Sequence, residues 1–392
     1  MSQKPMSVAI VTPGSFPIPS GVSSSVEQVV EKMASQLIKR MPVYVLGRKP
    51  SYQPVREIRN GVSYIRVRYR GPTIYRDEVR KHIAKLKPTI IQVENRPRYV
   101  RFLRRCYPKV RLSLVLHSTS FISKSSISNK DLRACLRAAD VVIVNSDFLK
   151  NIVQAKAPAY AHKVVTHYLG VDVSRFKSRW SEEGIQSRNQ FLQQLGYENR
   201  KIILFVGRLI PKKGIDHLLN AMKLIITKEP TALLILIGSA FYGSHRLTNY
   251  VKNLHRVGNT MPNHVRFIPY ISHSEVPKWF QIADVVAVPS DEGEAFGLVN
   301  VEAMASGIPV VATRSGGIQE VITDGTVGYL VHPRNIKEEF PHYLLLLLAD
   351  EELRRRMGKQ GIQRVQQHFT WEKAAETRHD LYSRMRGKRL FI

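Results

Sequence analysis

The chain has 392 residues, 43% of them hydrophobic and 23% charged, which suits a soluble globular protein and exceeds what one core usually organises, so two domains are expected. Its longest apolar runs, TALLILIG from Thr231 and YLLLLLA from Tyr343, are too short to span a bilayer. Sixty Lys and Arg against 31 Asp and Glu give a net charge of +29, a surface that would attract anionic lipid, a polyanionic acceptor or nucleic acid, unless it is simply a solvated basic face.

In chain order, MSQKPMSVAIVTPG opens as a polar tail running into a short strand and a Pro/Gly loop, without the apolar core of a signal peptide. SSSVEQVVEKMASQLIKR places Val26, Val29, Val30, Met33 and Leu37 at helical spacing. PVYVLGR, TIIQVEN, LSLVLHS and DVVIVNS then read as strands. Such near-continuous apolar runs bounded by turns predict a buried parallel sheet, and helices between them give βαβ units. From Arg56 to Arg111 seventeen basic residues stand against four acidic ones, concentrated in RVRYR, RKHIAKLK and RPRYVRFLRR. The chain carries no zinc-finger spacing and no RNP-type aromatic motif, so no specific nucleic acid is expected. Cys106 and Cys135 show neither metal-ligand spacing nor a disulfide framework, which suits a reducing cytosol.

After VVTHYLGVDVSRFKS the composition turns polar through Gly196. Residues 176–198 therefore read as a linker between an N-terminal domain, 1–175, and a second domain, 199–370. That second half repeats the alternation in KIILFVGR, ALLILIGS, HVRFIPY, DVVAVPS, PVVAT and VGYLVHP, with helices such as HLLNAMKLIITK between. The last segment, 371–392, begins WEKAAETRHDLYSRMR, an amphipathic helix with a basic end. The expected fold class is α/β, built of two Rossmann-like doubly wound domains.

Ligands of open α/β sheets bind beyond the carboxyl ends of the strands, and three strand ends of the second half carry unusual polar sets. GRLIPKKG offers Arg208, a rigid fork for bidentate phosphate binding, and Lys212 or Lys213 as a mobile point charge. TRSGGIQEVI carries Gly316 and Gly317, which would let backbone amides approach a phosphate at a helix N-terminus. DEGEAFGLVNVEAMASGIPVVAT holds Glu294 in a loop before a helix, where the amides of Phe296, Gly297 and Leu298 would be unpaired and open to an anion. Glu302, further along, is placed to accept from vicinal hydroxyls such as a ribose diol. Taken singly, either glutamate could merely answer the helix dipole or lie on an exposed face. The joint set points to a sugar diphosphate.

These motifs, with DGTVGYLV, LGVDVSRF and FTWEKAAE, resemble the retaining family-four glycosyltransferases. That family has the GT-B arrangement: two Rossmann-like domains facing a central cleft, with a C-terminal helix crossing back toward the N-domain. IQVENRPRYV is similar, more narrowly, to glycosyltransferases of bacillar spore coats. The resemblance implies transfer of a sugar from a nucleoside-diphosphate sugar to an acceptor hydroxyl with retention, in cell-envelope or spore-coat glycan synthesis. It implies a cytoplasmic protein with no cofactor beyond its donor substrate. By position, Arg208 and Lys213 would bind the diphosphate and Glu294 the donor sugar. The backbone of Ala295, Phe296, Gly297, Leu298 and Val299 would hold hydroxyls and phosphate, and Glu302 the ribose. Gly21 would approach the phosphate or the acceptor, Gly238 the nucleotide, and His117 the reacting face of the sugar. Two departures stand out: Ser20-Gly21 where members often carry Gly-Gly, and Ala240 in GSAFYG where a Gly-x-Gly is usual.

The implied transition state puts negative charge on the leaving phosphate, which Arg208 and Lys213 would stabilise. The sequence offers no carboxylate cluster suited to Mg²⁺, so no metal site is expected. The expected acceptor is a glycan, a lipid-linked or a polyanionic molecule, with peripheral contact to an anionic membrane, or a place in a spore coat, as the extension of the cytoplasmic reading. Competing readings are a GT-B epimerase or phosphorylase, and a catalytically inactive protein of this fold serving in a coat. No acidic pair flanking the sugar and no pyridoxal-phosphate lysine setting is evident for the first. Intact Arg208, Lys213, Glu294 and Glu302 argue against the second.

Overall fold

The computed structural model describes residues 4–20, 24–242, 246–291 and 293–387. The chain divides into two units, 1–169 with 371–392, and 170–370. In the first, strands β1 (Val8–Val11), β2 (Val43–Arg48), β3 (Arg56–Arg59), β4 (Val62–Val67), β5 (Ile90–Glu94), β6 (Arg111–Leu116), β7 (Val141–Val144) and β8 (Val164–Thr166) form one sheet in the order β3-β4-β2-β1-β5-β6-β7-β8. All pairs are parallel except the β3–β4 hairpin. Its turn is Asn60-Gly61, with φ of 50° and 81°, the left-handed pair that matches strand twist. The connections reverse direction between β1 and β5, where a doubly wound sheet binds its ligands.

Helix Ser25–Leu37 begins at a Ser24 cap and buries Val29, Val30, Met33 and Leu37. The C-terminal helix, Trp371–Arg386, belongs to this unit and packs against it. The basic runs fold differently from their common appearance. Arg66 of RVRYR is fully buried in β4, donating to the carbonyls of Ile18 and Pro54 and pairing with Glu57. In helix Pro97–Cys106, Arg101 and Arg98 share Asp131, while Arg104 holds Asp140 at 2.6 Å. Part of the basic excess is therefore internal structure. Arg68, Arg70, Lys81, Lys85 and Lys87 remain exposed.

The second unit contains a parallel sheet of β9 (Lys201–Val206), β10 (Ala232–Ile237), β11 (Val265–Ile268), β12 (Val285–Val288), β13 (Val310–Thr313) and β14 (Gly328–Val331), ordered β11-β10-β9-β12-β13-β14. Direction reverses between β9 and β12. The stretch 176–198, expected as a linker, is folded into this unit. It forms helix Glu182–Leu195, whose Phe191 meets Trp279 edge-on at 5.2 Å. At the amino end of β12, Asp284 is buried among Arg179 at 3.0 Å, Arg188 at 3.1 Å and Arg354 at 3.9 Å. Burial pushes its carboxyl up, but the guanidinium groups of Arg179 and Arg188, the Ile202 amide and Arg354 together hold it below its ordinary value. Cys106 is exposed and Cys135 buried, both as free thiols.

Candidate active site

The loops after β9 and β12 leave adjacent strands at the reversal point of the second sheet. Gly214, with φ of 62°, closes the short turn Pro211–Lys213 against the Pro289 carbonyl so tightly that a Cβ there would overlap it. The Asp291 amide donates to the Lys212 carbonyl at 3.0 Å. This apposition of backbones brings the Lys213 ammonium onto the Glu294 carboxylate as an ion pair, both half-buried.

The loop after β13 fixes Glu294 from the other side. Gly316, at φ 51°, lies under the Glu294 carbonyl where a Cβ would collide, and the Gly317 amide donates to that carbonyl at 2.8 Å. The glycine pair was expected to bring its amides to a phosphate. The Gly317 amide is instead taken by the Glu294 carbonyl, while among the described residues none accepts from the Gly316 amide.

Helix Leu298–Ala305 follows Gly297, at φ 80°, and no side chain caps it. The Asn300 amide bonds to the Gly297 carbonyl at 3.0 Å. Among the described residues none accepts from the amides of Leu298 or Val299, so these donors are open to a ligand. Ala295 and Phe296 are buried, the Phe296 ring packing edge-on against Phe369 at 5.9 Å. Arg208 is exposed, its guanidinium 5.6 Å over the Tyr242 ring, and among the described residues it pairs with no carboxylate.

Glu302 is held by a side chain the sequence reading did not single out. His273 Nε2 meets its carboxylate at 3.2 Å, and Arg175 supports His273 through its carbonyl at 2.6 Å and Nδ1 at 3.2 Å. Arg175 can only donate, so Nδ1 accepts and Nε2 carries the proton toward Glu302. Arg175 lies inside the LGVDVSRF motif, which was the available signal. Gly238, at φ 147°, packs against the Gly207 carbonyl with no room for a Cβ, joining the ends of β9 and β10.

His117 belongs to the first unit. Its Nε2 lies 2.7 Å from Glu94 Oε2, and its amide donates to Asn95 Oδ1 at 2.9 Å. Glu94 and Asn95 stand in the quoted IQVENRPRYV, but neither was singled out. Gly21 lies outside the described residues. Among the described residues, no group of three or more His, Cys, Asp or Glu could hold a metal ion.

Residues 187–364 match the family model described as glycosyl transferases group 1, and residues 26–175 the model described as glycosyltransferase family 4. Spore coat protein SA of Bacillus subtilis (strain 168) is 30% identical over 381 residues, covering 97% of this chain and 100% of that protein. The chain belongs to the group 1 glycosyltransferases. The glycosyltransferase is also 26% identical over 377 residues to the putative glycosyltransferase YtcC of the same organism, over 96% of this chain and 92% of that one. Its fold matches Anabaena HepE in complex with UDP-glucose at a TM-score of 0.77 and 22% identity, over 96% of this chain and 99% of that chain. A glycosyltransferase from Rickettsia africae matches at 0.80 and 18%, over 99% and 100%. These likenesses establish the GT-B fold of two Rossmann-like domains. No described helix of the glycosyltransferase is long and apolar enough to cross a membrane.

Proposed function

We propose that this glycosyltransferase moves a sugar from a nucleoside-diphosphate donor to an acceptor hydroxyl with retention of anomeric configuration, in making a cell-envelope or spore-coat glycan. The observation that carries the reading is the Lys213–Glu294 ion pair at the reversal point of the second sheet. A cation and a carboxylate beside open helix amides suit a ligand that is anionic at one end and hydroxylated at the other.

On donor binding, the Lys213 ammonium is shared with the diphosphate, and Glu294 turns its lone pairs to sugar hydroxyls. Arg208 leaves the Tyr242 ring to add a second cation, the amides of Leu298 and Val299 hold phosphate or hydroxyl oxygens, and Glu302 accepts from the ribose. The bond from the anomeric carbon to the phosphate oxygen breaks as that from the acceptor oxygen forms on the same face. The leaving phosphate takes the acceptor proton. Each fixed charge on the leaving group contributes about 10²–10³ in rate. The UDP-glucose complex of Anabaena HepE supports a nucleotide-sugar donor, and the name of the Bacillus coat relative supports the coat setting. The exposed Arg68, Arg70, Lys81, Lys85 and Lys87 favour a polyanionic or lipid-linked acceptor at an anionic surface.

The test is a donor screen with the purified full chain, scoring release of UDP, GDP or ADP from their sugars and reading product configuration by NMR. Release with an inverted product would overturn retention. Absence of binding to any nucleoside diphosphate in calorimetry would overturn the donor assignment.

A further inference from the structure

We propose that the C-terminal helix fixes the tautomer of His117 through a directional hydrogen-bond chain, in which Gln92 and Glu94 are positioning residues, so that Nδ1 is the ring atom left to accept a sugar hydroxyl. The inference rests on the transferase reading above and adds the state of one side chain in the first unit.

The direction is set by groups that can only donate. Arg378, buried on helix Trp371–Arg386, donates from Nη1 to Gln92 Oε1 at 2.9 Å across 286 positions of sequence. A guanidinium has no acceptor atom, so the Gln92 amide must present its oxygen to Arg378. The Tyr382 hydroxyl adds a second donor to the same oxygen. Arg378 is itself oriented by His167, whose Nε2 faces the Ala374 carbonyl at 2.7 Å and must therefore carry its proton there. His167 Nδ1 then accepts from Arg378 Nη2 at 3.2 Å. Burial first, and the Arg378 charge second, push His167 well below its ordinary pKa, which keeps the ring neutral and able to accept.

With its oxygen committed, the Gln92 NH₂ faces Glu94 Oε1. A carboxylate accepts only. Glu94, 1% exposed, thus takes the Gln92 proton on one oxygen and the His117 Nε2 proton on the other, at 2.7 Å. In a neutral ring the nitrogen that keeps a lone pair is decided by the partner of the other nitrogen, so with Nε2 committed to Glu94 it is Nδ1. That atom is buried and has no partner among the described residues. The peptide of His117 is pinned on both sides: Asn95 Oδ1 accepts its amide proton at 2.9 Å, and Asn145 Nδ2 donates to its carbonyl at 3.4 Å. A neutral ring so fixed, with Nδ1 as its unpartnered acceptor at the carboxyl end of β6, can take a hydrogen bond from a hydroxyl that reaches it and offers no donor to an anion there.

The experiment uses full-length protein labelled with ¹⁵N-histidine, with His117→Gln to assign the ring signals, alongside transferase kinetics. The wild-type spectrum should show His117 protonated on Nε2 with an unprotonated Nδ1. In Glu94→Gln the new amide must turn its oxygen to the Gln92 NH₂ and its own NH₂ to His117, which moves the ring proton to Nδ1. Turnover should fall about 10–100-fold, the effect of one reversed hydrogen bond in the transition state, with nucleotide affinity unchanged. A wild-type ring protonated on Nδ1, or a Glu94→Gln enzyme with wild-type kcat, overturns the proposal. The wild-type spectrum decides the tautomer even if the variant does not fold. Failure of the donor screen would instead count against the transferase reading, leaving that spectrum readable.

Discussion

Lys213 and Glu294 are separated by 81 positions of sequence, yet their side chains form an ion pair in which each is 23% exposed. The pair ties the loop ending β9 to the loop ending β12. A partly exposed pair of this kind contributes only about 0–1 kcal/mol to folding, so stability does not account for it. Lys213→Ala and Glu294→Ala should each leave the melting temperature within a few degrees of wild type while lowering kcat about 10²–10³-fold. Thermal melting and nucleotide-release assays on the same preparations check both halves. Near-wild-type turnover in either variant would remove the pair from the chemistry.

Gly316 separates backbone strain from site geometry. At φ 51°, with the Glu294 carbonyl where a Cβ would stand, Gly316→Ala must shift the Glu294 loop. Gly325 is the control, because its φ of 72° is equally left-handed but a Cβ there meets nothing within 4 Å. Gly325→Ala should cost about 1–2 kcal/mol from the left-handed backbone alone, and Gly316→Ala that much plus the clash with the Glu294 carbonyl, both read by denaturant unfolding. Only Gly316→Ala should also lose most of its activity. Equal activity in the two variants would mean that the Glu294 loop is not held where the reaction needs it.

The second sheet was legible because β10, β12 and β13 are apolar on both faces, and the residues at the carboxyl ends of its strands could be read as a candidate site from sequence alone. The β3–β4 hairpin was not, since Arg66 interrupts the apolar run of β4 and looks like surface charge until the carbonyls of Ile18 and Pro54 are seen to receive it. Helix Glu182–Leu195 was hidden in a polar stretch because it buries only Gly184 and Leu192. In the site, Lys213 and Glu294 carried a motif. Gln92 acquires its role from Arg378 and Tyr382, Glu94 from His117, and His273 from Arg175 and Glu302, partners distant in sequence that no spacing rule reveals. The Gly316-Gly317 pair was read as a close approach to a ligand. Sequence gives the tolerance for such an approach but not its target.

Asp284 gives the stability of the second unit a pH dependence on the acid side. Burial opposes ionisation, but Arg179, Arg188, the Ile202 amide and Arg354 outweigh it and hold the folded carboxyl below its ordinary 3.8. A folded value depressed below the unfolded one contributes stability that is present above pH 3.8 and lost as pH falls through the folded value. Asp284→Asn leaves two buried guanidinium groups, Arg179 and Arg354, and the partly buried Arg188 without their shared carboxylate and should cost about 3–5 kcal/mol near neutrality. The gap between wild type and variant should narrow below pH 3.8. Urea unfolding at neutral and acidic pH measures it, and a gap independent of pH would show that Asp284 acts by packing rather than by charge.

Glu302 is testable by what it should fail to notice. Its carboxylate is oriented by His273 Nε2 at 3.2 Å, leaving lone pairs free for a diol on the nucleotide. A hydrogen bond to a charged acceptor contributes about 1.5–3 kcal/mol, or roughly 10–100-fold in affinity. Wild-type protein should therefore bind the 2′,3′-dideoxy form of its nucleoside diphosphate about 10–100-fold more weakly than the ribonucleotide. Glu302→Ala should bind both alike, at the weaker level, with the Lys213–Glu294 pair and kcat at saturating donor little changed. Calorimetry on the four combinations yields the coupling directly. If the variant still prefers the ribonucleotide by the wild-type factor, the diol is read elsewhere, and the His273–Glu302 contact is a structural bond within the second unit.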